Sequence, residues 1–456
     1  MSAIVSTSPQ HPDDVVGEWP DAGAEGIQRA ITAARGAADG WRRITAHERG
    51  AALHAAAARV EQRAAELTDL VIREVGKPVA EARGEIARTV AILRFYAQAA
   101  LDPEGDVLPP STAGTLLFTR RRPRGVVGMI TPWNFPLAIP AWKLAPALAY
   151  GNAVILKPSP MATAGAFALE SAFELPEGVL QVVPGGPEAG RRLASGGGID
   201  AISFTGSVAV GREVTRVAAE AGIPAQAEMG GQNPAIVLAD ADLAVAAKTI
   251  AGAAMGYAGQ KCTATRRVIA VGDADAVRDA FVDAVRALAV GDPADASTIV
   301  GPVITREARD RIRDAVERAR ASGGRIDDAA ATPDDGWFVP PTIVTGLGET
   351  DELSQQEVFG PVTSILPARD VEDAVRIANG TSYGLVAAVY TRDLGLALGV
   401  ADRLDVGMVR INAPTTGVDF HAPFGGEKAS SVGPREQGRA AREFYTSTST
   451  VTVFPP

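Results

Sequence analysis

The sequence predicts an α/β fold built around buried parallel sheets. Short apolar segments alternate with helix-compatible segments between residues 125 and 204, the pattern of a βαβ sheet covered on both faces. A second alternation of strands and helices follows residue 262. Because 456 residues exceed the size at which one hydrophobic core stops growing, we expect two α/β domains, the first of them Rossmann-like.

Composition narrows the class of protein. With 46% apolar and 21% charged residues, the chain has the composition of an ordinary globular protein. The formal net charge of -10 argues against a nucleic-acid partner. No apolar run is long enough for a membrane span, and residues 1–14 lack the features of a secretory signal. The single cysteine, Cys262, excludes a disulfide framework, so we expect a cytoplasmic protein.

The amino-terminal quarter is predicted to be mostly helical. Residues 1–14 show no regular pattern and are expected to be a disordered lead-in. Residues 24–100 repeat their apolar side chains at helical spacing, and Gly76 with Pro78 marks a helix end. Residues 101–114, which are rich in Pro, Gly and Asp, are expected to form a linker.

Strands are predicted where a short β-prone run ends in turn residues. The first sheet receives strands at 125–130, 153–156, 179–183 and 201–204, with helices at 161–173 and 187–195. The second receives strands at 267–271, 363–366, 386–390 and 407–411, with helices at 274–289, 306–321 and 371–379. Two further β-prone segments, 114–121 and 449–454, are expected to pair across subunits, because bare strand edges invite aggregation.

Loops at the carboxyl ends of the first strands form the expected ligand crevice. They are residues 131–135, 157–160, 185–186 and 205–207. Gly206 and Gly211 lie between a strand and a helix, where backbone amides can bind a phosphate, although glycines are also plain turn formers. Lys157 is either a ligand of a phosphate or ribose, or a solvated lysine. Asn134 is either an oxyanion-hole amide or a turn residue before Pro136.

Cys262 is the candidate nucleophile. It lies in Gly-Gln-Lys-Cys-Thr at 259–263, a polar segment in which a thiol can be exposed. The neighbouring Lys261 would favour the thiolate. A lone cysteine is otherwise most often a buried and unreactive small hydrophobe, and on position alone both interpretations stand.

Seven motifs follow one another along the chain. They are Thr-Pro-Trp-Asn-Phe-Pro from 131, Leu-Lys-Pro-Ser from 156, Phe-Thr-Gly-Ser from 204, Glu-Met-Gly-Gly-Gln-Asn-Pro from 228, Gly-Gln-Lys-Cys from 259, Glu-Val-Phe-Gly-Pro from 357 and Pro-Phe-Gly-Gly from 423. In this order they resemble the aldehyde dehydrogenase superfamily over nearly the whole chain. The resemblance implies a Rossmann-like cofactor-binding domain, a second α/β catalytic domain and a small β oligomerisation element.

The resemblance also divides the chain. It implies a cofactor-binding domain at 1–104 and 124–229, to which 433–445 returns, a catalytic domain at 230–432, and oligomerisation strands at 105–123 and 446–456. It further implies a homodimer or homotetramer that acts on a small-molecule aldehyde.

Catalytic roles follow from the same motifs. Cys262 would attack the aldehyde carbon, while the Asn134 side chain and the Cys262 amide would hold the oxyanion. Glu228 would activate the water that hydrolyses the resulting thioester, and Lys143 would help to order the site. No metal ligand is implied.

The implied cofactor is NAD or NADP. Members that prefer NAD commonly carry a glutamate three positions after the lysine, where this chain has Pro160, so we expect NADP to be accepted. The residues that match cofactor positions are Ile130, Thr131, Pro132, Trp133, Lys157, Ser159, Gly186, Phe204, Thr205, Gly206, Ser207, Met229, Gly230, Glu357 and Phe359.

The carboxyl-terminal segments 412–426, 433–438 and 443–446 are similar to bacterial 2-oxoglutarate semialdehyde (2,5-dioxopentanoate) dehydrogenases. This implies a semialdehyde with a carboxylate, for which Lys261 and Arg266 are candidate ligands, though both can equally be solvated. A general aliphatic or aromatic aldehyde and a coenzyme A-acylating reaction are the alternatives, and the Glu228 carboxylate weighs against the latter. A cysteine hydrolase would need a histidine base, for which only His421 lies in a motif-like loop.

Overall fold

The computed structural model describes residues 3–195, 197–328 and 330–455. The α-helices are α1 Gly23–Arg43, α2 Ala46–Gln62, α3 Ala64–Val75, α4 Val79–Ala99, α5 Ala138–Ala149, α6 Thr163–Glu170, α7 Pro187–Ala194, α8 Val208–Glu220, α9 Leu243–Met255, α10 Ala274–Arg286, α11 Arg306–Ala321, α12 Glu352–Gln355, α13 Val371–Asn379, α14 Leu394–Ala401 and α15 Arg442–Tyr445. The strands are β1 Ala3–Thr7, β2 Val15–Pro20, β3 Val107–Leu108, β4 Leu116–Pro123, β5 Val126–Ile130, β6 Ala153–Lys157, β7 Leu180–Val182, β8 Ala201–Thr205, β9 Ala225–Glu228, β10 Asn233–Val237, β11 Thr265–Val271, β12 Arg325–Asp328, β13 Thr342–Thr345, β14 Val362–Ala368, β15 Tyr383–Gly384, β16 Val386–Tyr390, β17 Met408–Ile411, β18 Glu427–Lys428, β19 Ser431–Val432 and β20 Thr446–Val453.

The amino terminus forms a hairpin in which β1 pairs antiparallel with β2. Along β1, Ile4 and Ser6 are buried while their neighbours are exposed, as in a half-buried strand. The Ser6 hydroxyl donates to a carboxylate oxygen of Glu74 at 3.2 Å. The expected disordered lead-in is therefore wrong for residues 3–14, because this short strand is ordered by partners distant in sequence. Residues 1 and 2 lie outside the described residues.

Helices α1 to α4 confirm the helical prediction for residues 24–100. α2 begins at a capping box, in which the Thr45 and Glu48 side chains each accept a hydrogen bond from the other residue's backbone N–H. α3 ends at Gly76, whose φ of 64° is the left-handed conformation that glycine adopts without steric penalty. α4 packs on α5, the helix that follows β5.

The first sheet has six strands in the order β19-β9-β8-β5-β6-β7. Its strands are parallel except for the short β19, which pairs antiparallel with β9. All residues of β5, β6 and β8 are buried, which accounts for their continuous apolar sequences. The four predicted strands are confirmed. The strand order reverses next to β5, so the crevice at its carboxyl end is the expected ligand site.

The second sheet has seven strands in the order β12-β13-β14-β11-β10-β16-β17, all parallel except the edge strand β12. The four strands predicted after residue 262 are confirmed as β11, β14, β16 and β17. The central strand β10 and helix α9 were not predicted. β10 contains Pro234, which argues against a central strand, but a register shift between Asn233 and Pro234 accommodates it.

A third sheet of β20, β4 and β3 stands apart from the other two. β20 pairs antiparallel with β4 in unbroken register, from Thr446 opposite Pro123 to Val453 opposite Leu116. The segments expected to pair across subunits thus pair with each other first, because a partner in the same chain is always at high effective concentration. β20 is an edge strand, and on its outer side no strand of the described residues pairs with it, so a second chain could pair there.

The sheets agree with the predicted division of the chain except at β19, which belongs to the first sheet although residues 230–432 were predicted to form the catalytic domain. The first draws its strands from residues 126–228 and 431–432, and the second from residues 233–411. The domain boundaries themselves stay a prediction. Within the described residues, every helix is too short or too polar to cross a membrane.

Candidate active site

Cys262 follows a strained turn at the end of α9. Tyr257 and Ala258 have φ values of 55° and 51°, a left-handed conformation that residues other than glycine rarely adopt. Two hydrogen bonds hold the turn: the Tyr257 amide donates to the Ile299 carbonyl at 3.0 Å, and its hydroxyl donates to the Val75 carbonyl at 3.1 Å. Such strain persists only where the surroundings enforce it, and it concentrates at functional sites.

The Cys262 thiol is half-buried against an apolar cluster that contains Phe424. Burial raises the pKa of the thiol to about 12, and the charges of Glu357 and Glu228 act in the same direction. Backbone N–H groups at Cys262 and Thr263 act the other way, but more weakly. In the chain without ligands the thiol is therefore protonated at neutral pH.

The two cations expected to bind a substrate carboxylate are engaged with the protein. Lys261 Nζ lies 2.7 Å from a carboxylate oxygen of Glu81, and Lys261 is only 8% exposed. Arg266 is buried and donates to the carbonyl oxygens of Gly259 and Gly360. The expectation that Lys261 favours the thiolate is also wrong, since Glu81 neutralises its charge and the pKa of the thiol is raised.

Asn134 lies in the loop after β5 and is buried. Its Nδ2 donates to the carbonyl oxygen of Gln260 at 2.9 Å, which brings the amide within two residues of Cys262 in the chain. The next helix, α5, is fixed at its start by Glu85, which accepts from the Leu137 and Ala138 amides at 2.9 and 3.0 Å. An amide so held can present its second N–H to a developing oxyanion.

Glu228 ends β9 and is buried. Its Oε2 accepts from the Ser431 hydroxyl at 2.5 Å, while its buried Oε1 accepts from no described residue. Burial and then the charge of Glu436 raise the pKa of Glu228 well above its usual value. A carboxylate with a raised pKa and a free oxygen is suited to act as a general base near neutral pH.

Lys143 on α5 is paired with Glu436 across 293 residues of sequence. Lys143 Nζ also donates to the Ser203 hydroxyl at 2.8 Å, and the other Glu436 oxygen accepts from Trp142 Nε1 at 2.8 Å. These two charges act on Glu228 in opposite directions: Glu436 raises the pKa of Glu228 and Lys143 lowers it. Sequence reasoning missed Glu436 as a site residue. Its place in Gly-Pro-Arg-Glu-Gln-Gly was the only signal.

A cavity of about 410 Å³ joins Cys262 to the carboxyl ends of the first sheet. It gathers two of the four catalytic candidates, Cys262 and Asn134, and many of the predicted cofactor residues. The predicted residues that line it are Pro132, Trp133, Asn134, Thr205, Gly206, Ser207, Met229, Gly230, Cys262, Glu357 and Phe359. The predicted residues that do not line it are Ile130, Thr131, Lys143, Lys157, Ser159, Gly186, Phe204 and Glu228. Arg311 and Met161 also line it and were not predicted.

The cavity narrows where Glu357 meets Gly230. A Cβ on Gly230 would collide with a carboxylate oxygen of Glu357, so any larger residue there would have to displace the Glu357 side chain. The other oxygen accepts from the Gly231 amide at 3.2 Å, and burial raises the pKa of Glu357 to about 7. Phe359 has a φ of 54°, and its ring stacks edge-to-face on Trp133 with 5.7 Å between centroids.

The far part of the crevice is formed by Lys157 and its neighbours. Lys157 Nζ donates to the carbonyls of Pro158 and Gly185 at 2.7 and 2.9 Å, and burial lowers its pKa to about 8. Ser207 caps α8 by accepting a hydrogen bond from the Val210 amide, and Gly186 precedes α7. A buried hydroxyl in this crevice, Thr205 Oγ1, has no described partner. Helix starts, a cation and an unpaired hydroxyl together fit a phosphorylated nucleotide.

Comparison with known proteins identifies the group to which these motifs belong. The sequence profile described as the aldehyde dehydrogenase family matches residues 2–451. The chain belongs to the aldehyde dehydrogenase family. It is thus an NAD(P)-dependent oxidoreductase of aldehydes, and the fold and family expected from the sequence are confirmed.

Relatives of this aldehyde dehydrogenase match it over most of both chains. Alpha-ketoglutaric semialdehyde dehydrogenase of Bacillus subtilis (strain 168) is 40% identical over 98% of this chain and 94% of the relative. The crystal structure of an NAD-dependent aldehyde dehydrogenase from Sinorhizobium meliloti has a TM-score of 0.96 at 34% identity, over 99% of this chain and 92% of that one. An NADP-dependent enzyme of E. coli has a TM-score of 0.96 at 32% identity, over 100% and 95%.

Proposed function

We propose that this aldehyde dehydrogenase oxidises a short semialdehyde that carries a carboxylate, such as 2-oxoglutarate semialdehyde, to the carboxylic acid. The Bacillus subtilis relative named for that substrate supports the choice. The observation that carries the reaction type is the arrangement of Cys262, Asn134 and Glu228: the nucleophile and the amide donor line one cavity, and the raised-pKa carboxylate of Glu228 is near enough to act on the pKa of the thiol. NAD or NADP is the cofactor.

The site residues divide the reaction into two steps. Cys262 Sγ bonds to the aldehyde carbon and its proton passes to solvent, which forms a thiohemiacetal whose oxyanion accepts from Asn134 Nδ2 and the Cys262 amide. A nicotinamide held beside Glu357 and Phe359 would supply the acceptor for the hydride of that carbon, which would leave the acyl group on Cys262 as a thioester. Glu228 then takes a proton from the water that attacks the thioester, and the acid leaves as the Cys262 thiol is restored.

The substrate carboxylate needs a cation that is not already paired with a carboxylate or bound to carbonyl oxygens of the protein. We propose Arg88 on α4, which is half-buried and makes no hydrogen bond or ion pair with the side chains described. Burial lowers the pKa of Arg88, and the charge of Glu85 and then that of Asp419 oppose this effect, so Arg88 lies near Asp419 in the loop after β17. Val418 in that loop packs against the same apolar cluster as Cys262. The shared apolar cluster supports Arg88 as a guanidinium near the thiol that could bind the substrate carboxylate.

We also propose a homo-oligomer and a cytoplasmic location. The free outer edge of β20 supports assembly into a homodimer or homotetramer, because an unpaired edge is a template for a second chain. The single unpaired cysteine supports a reducing compartment.

The test is the absorbance of reduced nicotinamide with a panel of acidic and neutral aldehydes, each with NAD and with NADP. We expect the highest kcat/KM for a short semialdehyde with a carboxylate, and release of the free acid. Product formation only in the presence of coenzyme A would replace this reaction by the acylating one. Equal kcat/KM for neutral aldehydes of the same length would remove the carboxylate from the proposal.

A further inference from the structure

Asp21 lies directly against the loop that follows β7. The Ala22 amide donates to the Pro184 carbonyl at 3.0 Å, which fixes the entry to α1 on this loop. A Cβ built on Gly185 would lie 3.3 Å from Asp21 Oδ1, and one built on Gly186 would lie 3.7 Å from Oδ2. The carboxylate therefore lies next to the space into which side chains at these two glycines would point, and the sequence alone did not predict it there.

Lys157 reaches the same loop from the neighbouring strand. Its Nζ donates to the Gly185 carbonyl at 2.9 Å, so Gly185 lies between an ammonium group and the Asp21 carboxylate. β6 and β7 are adjacent and in parallel register, with Leu156 opposite Val182, which brings their carboxyl ends to one edge. The charge of Asp21 acts on Lys157 and opposes the effect of burial on the lysine's pKa. The Asp21 carboxylate and the Lys157 ammonium group therefore interact electrostatically.

The position that often carries an acid in this family does not do so here. Pro160 starts a short 3-10 turn after Ser159 and has no charge to offer a ribose. An acidic group nevertheless lies near Lys157. It is Asp21, which is 136 residues earlier in the chain. The loss of a carboxylate at Pro160 therefore does not leave this end of the crevice purely cationic.

We propose that Asp21 sets the preference of this enzyme for NAD over NADP. Its carboxylate can accept a hydrogen bond from a ribose hydroxyl of NAD, whereas the 2′-phosphate of NADP would bring a like charge next to it. Specificity of this kind arises from repulsion as much as from attraction. Lys157 still attracts phosphate, so NADP binds, but more weakly than NAD. This inference rests on the NAD(P) dependence of the proposed function and is independent of the aldehyde.

The experiment measures cofactor dissociation constants by isothermal titration calorimetry on the full chain, with no aldehyde present. Wild type should bind NAD more tightly than NADP. Asp21→Asn should shift the ratio of the two constants towards NADP by about tenfold, which corresponds to about 1.4 kcal/mol. Because an asparagine Oδ1 can still accept from the Gly23 amide, as Asp21 does at 3.0 Å, the start of α1 should be preserved.

Glu25→Gln is the matched control. It removes one negative charge from the first turn of the same helix, but Glu25 is exposed and lies near Arg29 at 3.8 Å. Its ratio of constants should equal that of wild type. If Asp21→Asn unfolds, Asp21→Ser keeps an oxygen that can cap the helix and replaces it in the comparison.

Three results would overturn the proposal. They are a wild type that binds NADP as tightly as NAD, an unchanged ratio in the folded Asp21 variants, and an equal shift in Glu25→Gln. Binding of neither cofactor by wild type would instead refute the NAD(P) dependence on which the proposal rests. Failure of the semialdehyde to be oxidised would leave these measurements intact, because no aldehyde enters them.

Discussion

Ser431 and Glu228 face each other across the edge of the first sheet, although 203 residues separate them in the chain. The serine hydroxyl occupies one carboxylate oxygen at 2.5 Å, and the other oxygen is buried beside Gly425 without a described hydrogen-bond donor. The carboxylate is therefore fixed by one bond and left with one oxygen for chemistry. Two predictions follow from this pair.

The first concerns Glu228→Gln. The amide keeps the shape of the side chain but cannot take a proton, and loss of a general base typically costs about 10² to 10⁴-fold in the step it serves. We expect a burst of one reduced cofactor per active site, after which turnover nearly stops. Rapid-mixing absorbance measures the burst, and mass spectrometry should find the acyl group on Cys262.

Cys262→Ala is the control for that experiment, since it removes the nucleophile and should abolish the burst itself. A Glu228→Gln enzyme that binds cofactor normally, yet shows neither burst nor adduct, would assign Glu228 to activation of the thiol. This alternative has a physical basis, because the raised pKa of the Cys262 thiol means that the thiol needs a base to become a thiolate.

The second concerns Ser431→Ala. The Ser431 bond lowers the pKa of Glu228 against the effect of burial, so its removal should raise that pKa further. Less of the base is then ionised at any given pH, and the rising limb of deacylation should move to higher pH. A hydrogen bond to a charged group contributes about 1.5 to 3 kcal/mol, so we expect a shift of about one pH unit. Ser449→Ala, at a half-buried serine on β20 whose hydroxyl donates to the Arg120 carbonyl, should leave the profile unchanged.

Pro160→Glu tests the cofactor end of the crevice from the other side. A glutamate three positions after Lys157 would add a second negative charge to the one that Asp21 supplies. We expect the NADP dissociation constant to rise and that of NAD to stay within a few-fold. The reason is that only NADP carries the 2′-phosphate that a glutamate would repel. Pro160→Gln is the neutral control. If wild type showed no turnover with NADP, a proline at position 160 would not be enough to let the enzyme use NADP.

Removal of residues 447–456 tests the oligomer. The deletion takes away most of β20 and leaves β4 as a bare edge, since β20 covers β4 over its whole length. We expect the protein to dissociate or precipitate, as unpaired edges do. Light scattering coupled to size exclusion gives the mass. A soluble oligomer of unchanged subunit number would show that these strands do not hold the subunits together.

Arg88→Met tests the cation proposed for the substrate. The variant should raise KM for an acidic semialdehyde with little change for a neutral aldehyde of equal length, since only the first loses a charge partner. Lys261→Met, in which the lost cation is already paired with Glu81, should affect both aldehydes alike. If Lys261→Met is the selective variant, the assignment passes from Arg88 back to Lys261.

The sequence by itself determined the local elements and the identity of the motifs. Continuous apolar runs such as Val126–Ile130 predict buried parallel strands, and Gly76 ends a helix through its own backbone preference. These signals are local, because periodicity and turn chemistry depend on neighbouring residues alone. The order of the seven motifs then specified the family, and with it Cys262, Glu228 and Asn134 as candidates.

Only the tertiary structure decided how charged groups are paired. Lys261 is next to Cys262 in sequence, yet it forms an ion pair with Glu81. Arg266 donates its hydrogen bonds to backbone carbonyls. Glu436 and Asp21 came to light only because folding brings them to Lys143 and to Gly185. A pKa depends on burial and on charges across space, which sequence distance does not report, so the state of Cys262 and the acid beside Lys157 were decided by the fold.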